Sequence, residues 1–571
     1  MEILNTDVLV IGGGSAGLRA TIEVKKAGAK TILVTKGILG NTGTSVMNVT
    51  ESAGFSASGF VDIEDNFNNH FQDIMVAGLG MNDPILSKIV AVESPKQLLF
   101  LANLGVPFLK KGCNYLAACS CFSSRPRSIR IKGHGKPIVL ALKNQILKEN
   151  IKVIENSMAI EPILDTQKKN CIGALILDGN NKFVAIRAKA TILATGGAGQ
   201  LFDMSFIPVD VTGDGHVFGL KAGAELINME FMQAGFGIMA SKKNIAFQYW
   251  LWNLRPKIMS IKGEEFIERF IPKNQSIDEI FAAKSRHYPF STRDSSKFME
   301  IAVQSFINEK RDNKIDDTVW ATKLNDPENL IINLPNEHNF KKMWQLTKEY
   351  FNSAGLDIKS KFRIACFAHT MNGGLLVDQF GKTSIEGLYA VGEVAGGPHG
   401  ADRLGGNMFP TCQIFAERAA LHASLYAREN QNNSNNTKEI FELEKTIDSF
   451  KIGSRKINDL DIAKLRSELQ RIASRALLVI REEKQIKRFL SEVKNLENMT
   501  ENIEIEPKFV KHLFELRNLI LIGKVVANAA LMRTESRGSH YRKDFPKMSK
   551  RWNKKIVISL GDKKEIICKS L

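Results

Sequence analysis

Three glycines at positions 12, 14 and 17, set directly behind an apolar run, constrain this chain more than any other feature. Asp7-Val8-Leu9-Val10-Ile11 reads as a buried parallel strand, Leu18 to Ala27 has helical spacing, and Thr31-Ile32-Leu33-Val34 supplies a second strand. A G-x-G-x-x-G turn in that strand–turn–helix setting lets the backbone approach a pyrophosphate seated on the helix N-terminus. A dinucleotide is therefore expected against Gly12, Gly14, Ser15, Ala16 and Gly17. One feature departs from the pattern. The second strand ends in Thr35-Lys36, where such folds usually carry an acid for a ribose hydroxyl.

Two later segments choose between dinucleotides. Ala190-Thr191-Ile192-Leu193-Ala194-Thr195-Gly196-Gly197 is a strand entering a small-residue turn, and Gly387-Leu388-Tyr389-Ala390-Val391-Gly392-Glu393 is another. Together with the glycine turn, in this order, they resemble the recurrent elements of FAD-binding flavoproteins. FAD is the expected cofactor, with Ala194, Thr195, Gly196 and Glu393 among its contacts.

The remaining composition sets the architecture. Between about 226 and 360 aromatic and charged residues accumulate, including Trp250, Trp252, Trp320 and Trp344, which suggests an inserted domain. Residues 429–437 form a polar, low-complexity linker, and apolar spacing from Glu439 to about Met532 is helical, as in Leu465, Leu469 and Ile472. The expected fold is α/β: a Rossmann-like FAD-binding domain (1–225 and 361–428), an inserted α+β capping domain (226–360), and a C-terminal helical region with its tail (438–571).

Lys and Arg number 78 against 61 Asp and Glu, a net charge of +17. The surplus is spread along the chain and densest near the C-terminus, so nucleic acid is not an expected partner. No apolar run is long enough to cross a membrane, and Met1-Glu2-Ile3-Leu4 leaves no room for a signal peptide. The seven Cys contain no C-x-x-C pair, so reduced thiols, a cytoplasmic location and no metal site are expected.

A further set of motifs comprises His369-Thr370-Met371-Asn372-Gly373-Gly374, the run His399 to Asn407, Ser291-Thr292-Arg293-Asp294, Thr212-Gly213-Asp214-Gly215, and Arg533 to Asp544. Together they resemble those of the fumarate reductase and succinate dehydrogenase flavoprotein family, which includes L-aspartate oxidase. The resemblance implies hydride transfer between flavin N5 and a carbon of a carboxylate- or carbonyl-bearing substrate. In it Arg293 transfers the proton, Arg403 holds a carboxylate with its planar fork, and His369 donates to the same end. Thr42, Thr44 and Ser45 line the flavin loop, Asp214 lies near the isoalloxazine edge, Glu393 takes sugar hydroxyls, and Lys36 and Asn407 complete the cofactor contacts.

Three departures narrow the reading. Family members with covalent flavin carry a His that falls here on Gly43, so FAD is expected to be non-covalent and reduction or oxidase chemistry is favoured. Met229-Glu230-Phe231 is followed by Met232-Gln233-Ala234-Gly235, without the family's His and Thr for a second carboxylate. Phe247 to Trp252 replaces a Thr-Glu pair. With no cation or hydroxyl evident at that end, a larger or less polar substrate than fumarate or L-aspartate is expected. An L-aspartate oxidase-like enzyme is the alternative. A third reading is an electron-transfer subunit docked on an iron–sulfur protein through Arg542-Lys543, Lys547, Lys550-Arg551 and Lys554-Lys555.

Overall fold

A computed structural model gives the structure of the chain. It describes all residues except 168, 313–317, 323–336, 358, 431–441, 446, 449–454, 457–458, 502 and 505. Most of the expected 429–437 linker and the start of the expected helical stretch at Glu439 thus lie outside the described residues.

The first strand is longer than the apolar run alone suggested, Glu2–Ile11, and the helix behind the glycines is Ser15–Lys26. Glu2–Ile11 lies parallel between Thr31–Val34 and Phe183–Leu193. Lys152–Ile154 extends one edge, and the antiparallel strands Cys171–Leu177 and Met158–Leu164 extend the other. Leu388–Ala390 pairs with the end of Phe183–Leu193, so both expected strand-and-turn segments stop beside the glycine turn. Thr31–Val34 is buried along its whole length, which is why its four residues are all apolar or β-branched.

Two glycines fix how these pieces meet. A Cβ on Gly12, which has φ +122°, would stand 2.2 Å from the Ala194 carbonyl oxygen, and one on Gly17 would stand 1.8 Å from the Gly12 carbonyl oxygen. Only glycine lets strand, helix and the second strand-turn approach this closely.

The capping sheet has the order Ile245–Ala246, Met232–Met239, Phe362–Met371, Val319–Ala321 and Ile258–Ser260. The boundary expected at 360/361 therefore cuts through one sheet, because Phe362–Met371 pairs with Met232–Met239 along their length. The C-terminal region carries the helices Asp459–Ala473, Glu483–Met499 and Val510–Met532. It also ends in a hairpin, Ile556–Leu560 and Ile566–Ser570, which joins Leu226–Ile227 and Gly374–Leu375 in a four-stranded sheet. Among the described residues no helix is long and apolar enough to cross a membrane.

The C-terminal segment is tied to the cap by buried charge. Arg533 is fully buried, with Nε 2.7 Å from Glu230 and Nη1 2.9 Å from Glu535, and Nη2 donates to the Lys554 carbonyl. Removing one partner of such a cluster strands the others without water. Arg533→Met is therefore expected to lower unfolding free energy by about 3–5 kcal/mol, read from the denaturant midpoint. A shift under about 1 kcal/mol, the scale of an exposed pair, would show that the cluster does not hold the two regions together.

Candidate active site

A cavity of about 320 Å³ opens where the glycine turn, the cap and the C-terminal half of the FAD domain meet. Gly12, Gly14, Ser15, Ala16, Lys36, Thr42, Thr44, Ser45, Ala194, Thr195, Gly196, Asp214 and Glu393 all line it, as do His369 and Arg403. The first turn of Ser15–Lys26 holds no acidic side chain, and Ser15 and Ala16 line the cavity, so this helix N-terminus suits an anion. Thr44 Oγ1, Thr195 Oγ1 and both amide atoms of Gln233 are buried on this wall with no protein partner. A long wall rich in unsatisfied polar atoms beside a glycine turn fits FAD. Gly43, with φ +87°, also lines it and carries no side chain to bond a flavin.

Lys36 explains the missing acid. Its Nζ lies 2.8 Å from both Asp214 and Glu515 and donates to the Asp210 carbonyl and to Thr212 Oγ1. Burial alone would lower the ammonium, but the two carboxylates outweigh it and raise it. Asp214 is likewise held below its ordinary range, because Lys36 outweighs its burial. Both Asp214 oxygens are taken, by Lys36 on one side and Thr212 and Asn518 on the other. Asp214 is thus tied to Lys36 just beyond the end of Thr31–Val34, on the cavity wall. The neighbouring Asp210, which belongs to none of the motifs, lines the same wall.

At the other functional group, Arg403 Nη2 lies 3.5 Å from His369 Nε2. Burial and then the Arg403 charge push His369 down to about 3, so it is neutral at physiological pH. Arg403 Nε is buried without a partner, and no carboxylate pairs with this guanidinium among the described residues. Glu393, buried near it, accepts from the Met371 N–H at 3.0 Å and is pushed up to about 7 by burial.

Three expected site residues stand off the wall. Arg293 donates from Nη2 to Asp402 at 3.1 Å and to the Ala77 carbonyl at 3.0 Å, and its guanidinium lies over the Phe122 ring. Asn407 is bonded to His70 at 2.9 Å. Gly17 serves the close approach to Gly12 rather than a cofactor contact.

The far end is not what the motif departures suggested. Phe247 and Trp252 are buried in an aromatic cluster with Phe236 and Phe281, and Trp250 packs on Trp344. They are core of the cap, because the adjacent sheet needs an apolar cover. Gly235 lies under Tyr288, whose ring fills the space that a side chain there would take. The wall instead presents Gln233, Gln248, Tyr249 and Arg130. Arg130 lay in no motif; the alternation Ser128, Arg130 on one face of Ser128–Lys132, against Ile129 and Ile131 on the other, was the signal that could have found it. The expected basic docking face also loses a member, since Arg542 is fully buried and paired with Asp544.

Residues 7–248 and 300–409 match the FAD binding domain family, and residues 466–568 match the fumarate reductase flavoprotein C-terminal family. The fold and site are those of an FAD-dependent oxidoreductase. An uncharacterized FAD-dependent oxidoreductase of Methanocaldococcus jannaschii is 31% identical, covering 97% of this chain and 96% of that protein. One subunit of the fumarate reductase (CoM/CoB) of Methanothermobacter marburgensis is 29% identical, covering 98% of each. L-aspartate oxidases match along comparable lengths at lower identity. The solved structure of Mycobacterium smegmatis Sdh1 in complex with UQ1 superposes with a TM-score of 0.81 at 26% identity, covering 100% of this chain and 94% of that one. The chain belongs to the fumarate reductase/succinate dehydrogenase flavoprotein family.

Glu393 yields a pH signature. A carboxyl whose folded value lies above its unfolded value favours the fold at low pH and loses that contribution as pH rises through about 7. FAD-stripped protein is therefore expected to lose stability between about pH 5 and 8, with up to about 3 kcal/mol of the loss removed in Glu393→Gln. Denaturant unfolding at the two pH values checks it; an unchanged slope in the variant would assign the titration elsewhere, with Asp402, pushed up to about 6 by burial, the next group.

Proposed function

We propose that this flavoprotein oxidises or reduces a small acid whose carboxylate is held by Arg403 and His369 beside a non-covalent FAD. The observation that carries this is the Arg403 guanidinium, buried on the cavity wall with no carboxylate partner among the described residues. A buried charge left unpaired costs several kcal/mol, so the site is complete only when an anion arrives. The planar fork suits a carboxylate by two hydrogen bonds. His369, being neutral, offers either a donor or an acceptor without adding charge.

FAD in this cavity supplies two-electron hydride chemistry. Proton transfer is assigned to Arg293 in this reading, although its guanidinium stands one layer behind the wall. Its support is the pair with Asp402, a residue adjacent to Arg403 whose carboxyl also accepts from Ser291 at 2.6 Å. A carboxyl near 6 beside a guanidinium keeps a proton donor and an acceptor together out of water. The electron partner is proposed as an iron–sulfur protein. Lys543, Lys547, Lys550, Arg551 and Lys554 are exposed around Met548, itself 61% exposed, and such a rim suits an acidic partner.

The direct test is an anaerobic screen of saturated and unsaturated acids for flavin bleaching or reoxidation. Arg403→Lys is expected to raise KM for every acid that reacts. Arg293→Gln should retain fold and FAD yet lose about 10²–10⁴-fold in turnover; near-normal turnover would move the proton to another group. Acid precipitation should leave all flavin in the supernatant, and flavin fluorescence on the pellet would refute non-covalent binding.

A further inference from the structure

The helix Met408–Glu429 begins on the cavity wall, and no side chain caps its first turn. Asn407 precedes it, a residue type that caps helices well, yet its side chain accepts nothing from the turn. The third position of that turn is Pro410, which has no N–H, so the Phe409 N–H is the one a cap could take. Instead, Asn407 Oδ1 accepts from His70 Nε2 at 2.9 Å, across 337 residues of chain. His70 comes from the helix Phe67–Gly78, and both side chains are fully buried. The charged groups around His70 are Arg127, Asp65 and Asp73, which pair among themselves. Burial holds the imidazole down at about 4, so it carries one proton, and the oxygen acceptor places that proton on Nε2. The bond leaves two polar atoms buried without a protein partner, His70 Nδ1 and Asn407 Nδ2. Stability alone does not account for an arrangement that strands both.

The withheld cap leaves a row of N–H groups open. Gly406, Met408 and Phe409 line the cavity, and their N–H groups have no acceptor in the protein among the described residues. The carbonyls of the same turn are drawn the other way. Gly405 accepts from Ser56 Oγ at 3.0 Å and from Ser120 Oγ at 2.8 Å, and Gly406 accepts from the Ser56 N–H at 2.9 Å. No acidic side chain stands in the first turn of the helix. Such a turn carries partial positive charge and suits an oxygen that is, or becomes, negative.

We propose that His70 is a positioning residue for the flavin: by holding Asn407 it keeps the first turn of Met408–Glu429 free to face negative charge on the pyrimidine end of the FAD ring system. Reduction of a flavin, or addition of a nucleophile at its N5, moves electron density to that end, so an open turn favours both. Without His70, Asn407 Oδ1 is free to take the Phe409 N–H, and the cradle loses a donor. The role concerns the cofactor alone and holds whichever acid is the substrate.

The test is a sulfite titration of the holoenzyme without substrate, read as bleaching of the flavin band. Sulfite forms an S–N bond at flavin N5, and the displaced electron pair moves into the pyrimidine ring; no oxidant or reductant is consumed. His70→Leu is expected to bind sulfite about 10-fold more weakly, the loss a single cap hydrogen bond supports, with FAD content unchanged. The same tenfold change corresponds to a two-electron midpoint potential about 30 mV lower, measured by reductive titration against a reference dye. His70→Gln keeps a donor to Asn407 and should stay close to wild type in both readings. Asn407→Ala has no cap to offer and should also stay close, and adding His70→Leu to it should change nothing further. Asn407→Ser, whose hydroxyl caps the turn without reaching His70, should weaken sulfite binding as His70→Leu does, and it carries the test if His70→Leu does not fold. Unchanged sulfite affinity and potential in either His70→Leu or Asn407→Ser would overturn the proposal. Equal loss in His70→Leu and His70→Gln would overturn it too, as would a loss from His70→Leu that persists beside Asn407→Ala.

Discussion

The contact between Gly17 and the Gly12 carbonyl is the constraint on which the rest of the site depends. A methyl group there would sit inside van der Waals contact with backbone, which has no flexible end to yield. Because the approach is that close, the N-terminal turn of Ser15–Lys26 meets the ends of Glu2–Ile11 and Phe183–Leu193 at one point. The cavity begins at that point. Its other walls are brought there by strands that end at the same level, Thr31–Val34 with Lys36 behind it and Leu388–Ala390 with Glu393 behind it.

Buried charge is handled in more than one way: Arg481, fully buried, meets two backbone carbonyls and His540 but, among the described residues, no carboxylate. Several other buried charges come in closed sets: Lys36 with Asp214 and Glu515, Lys284 with Glu300, Arg533 with Glu230 and Glu535. Each satisfies its partners inside the protein, so breaking one costs stability without exposing a function. Arg403 differs in lining the cavity, where its Nε is buried without a partner and no carboxylate pairs with it among the described residues.

Burial also sorts the titratable groups around Arg403. His369 is driven down and Glu393 up, so near pH 7 His369 is neutral and Glu393 is only partly ionised, which leaves Arg403 incompletely compensated. Were Glu393 fully ionised beside it, the guanidinium would be neutralised by the protein itself. The low-dielectric wall thus preserves the cation for what binds.

The glycine turn, the strand-and-turn segments and the motif around Arg403 were legible in the sequence because each is local: spacing and residue type decide the backbone path within a few residues. Those elements determined the fold class and the cofactor, and all but three of the expected site residues lie on the cavity wall. The remainder depended on contacts across long stretches of chain. That Lys36 meets Asp214 and Glu515, that Arg293 stands behind Arg403, and that Phe362–Met371 joins the capping sheet follow from pairing no local pattern encodes. The aromatic run 247–252 and Arg130 make the point most sharply. Composition favoured the run as a substrate surface, whereas packing buried its aromatic side chains except Tyr249 and left the wall to a residue in no motif. Sequence determined what groups the site owns; only the tertiary structure decided which of them face the cavity, because burial belongs to a surface assembled from distant strands.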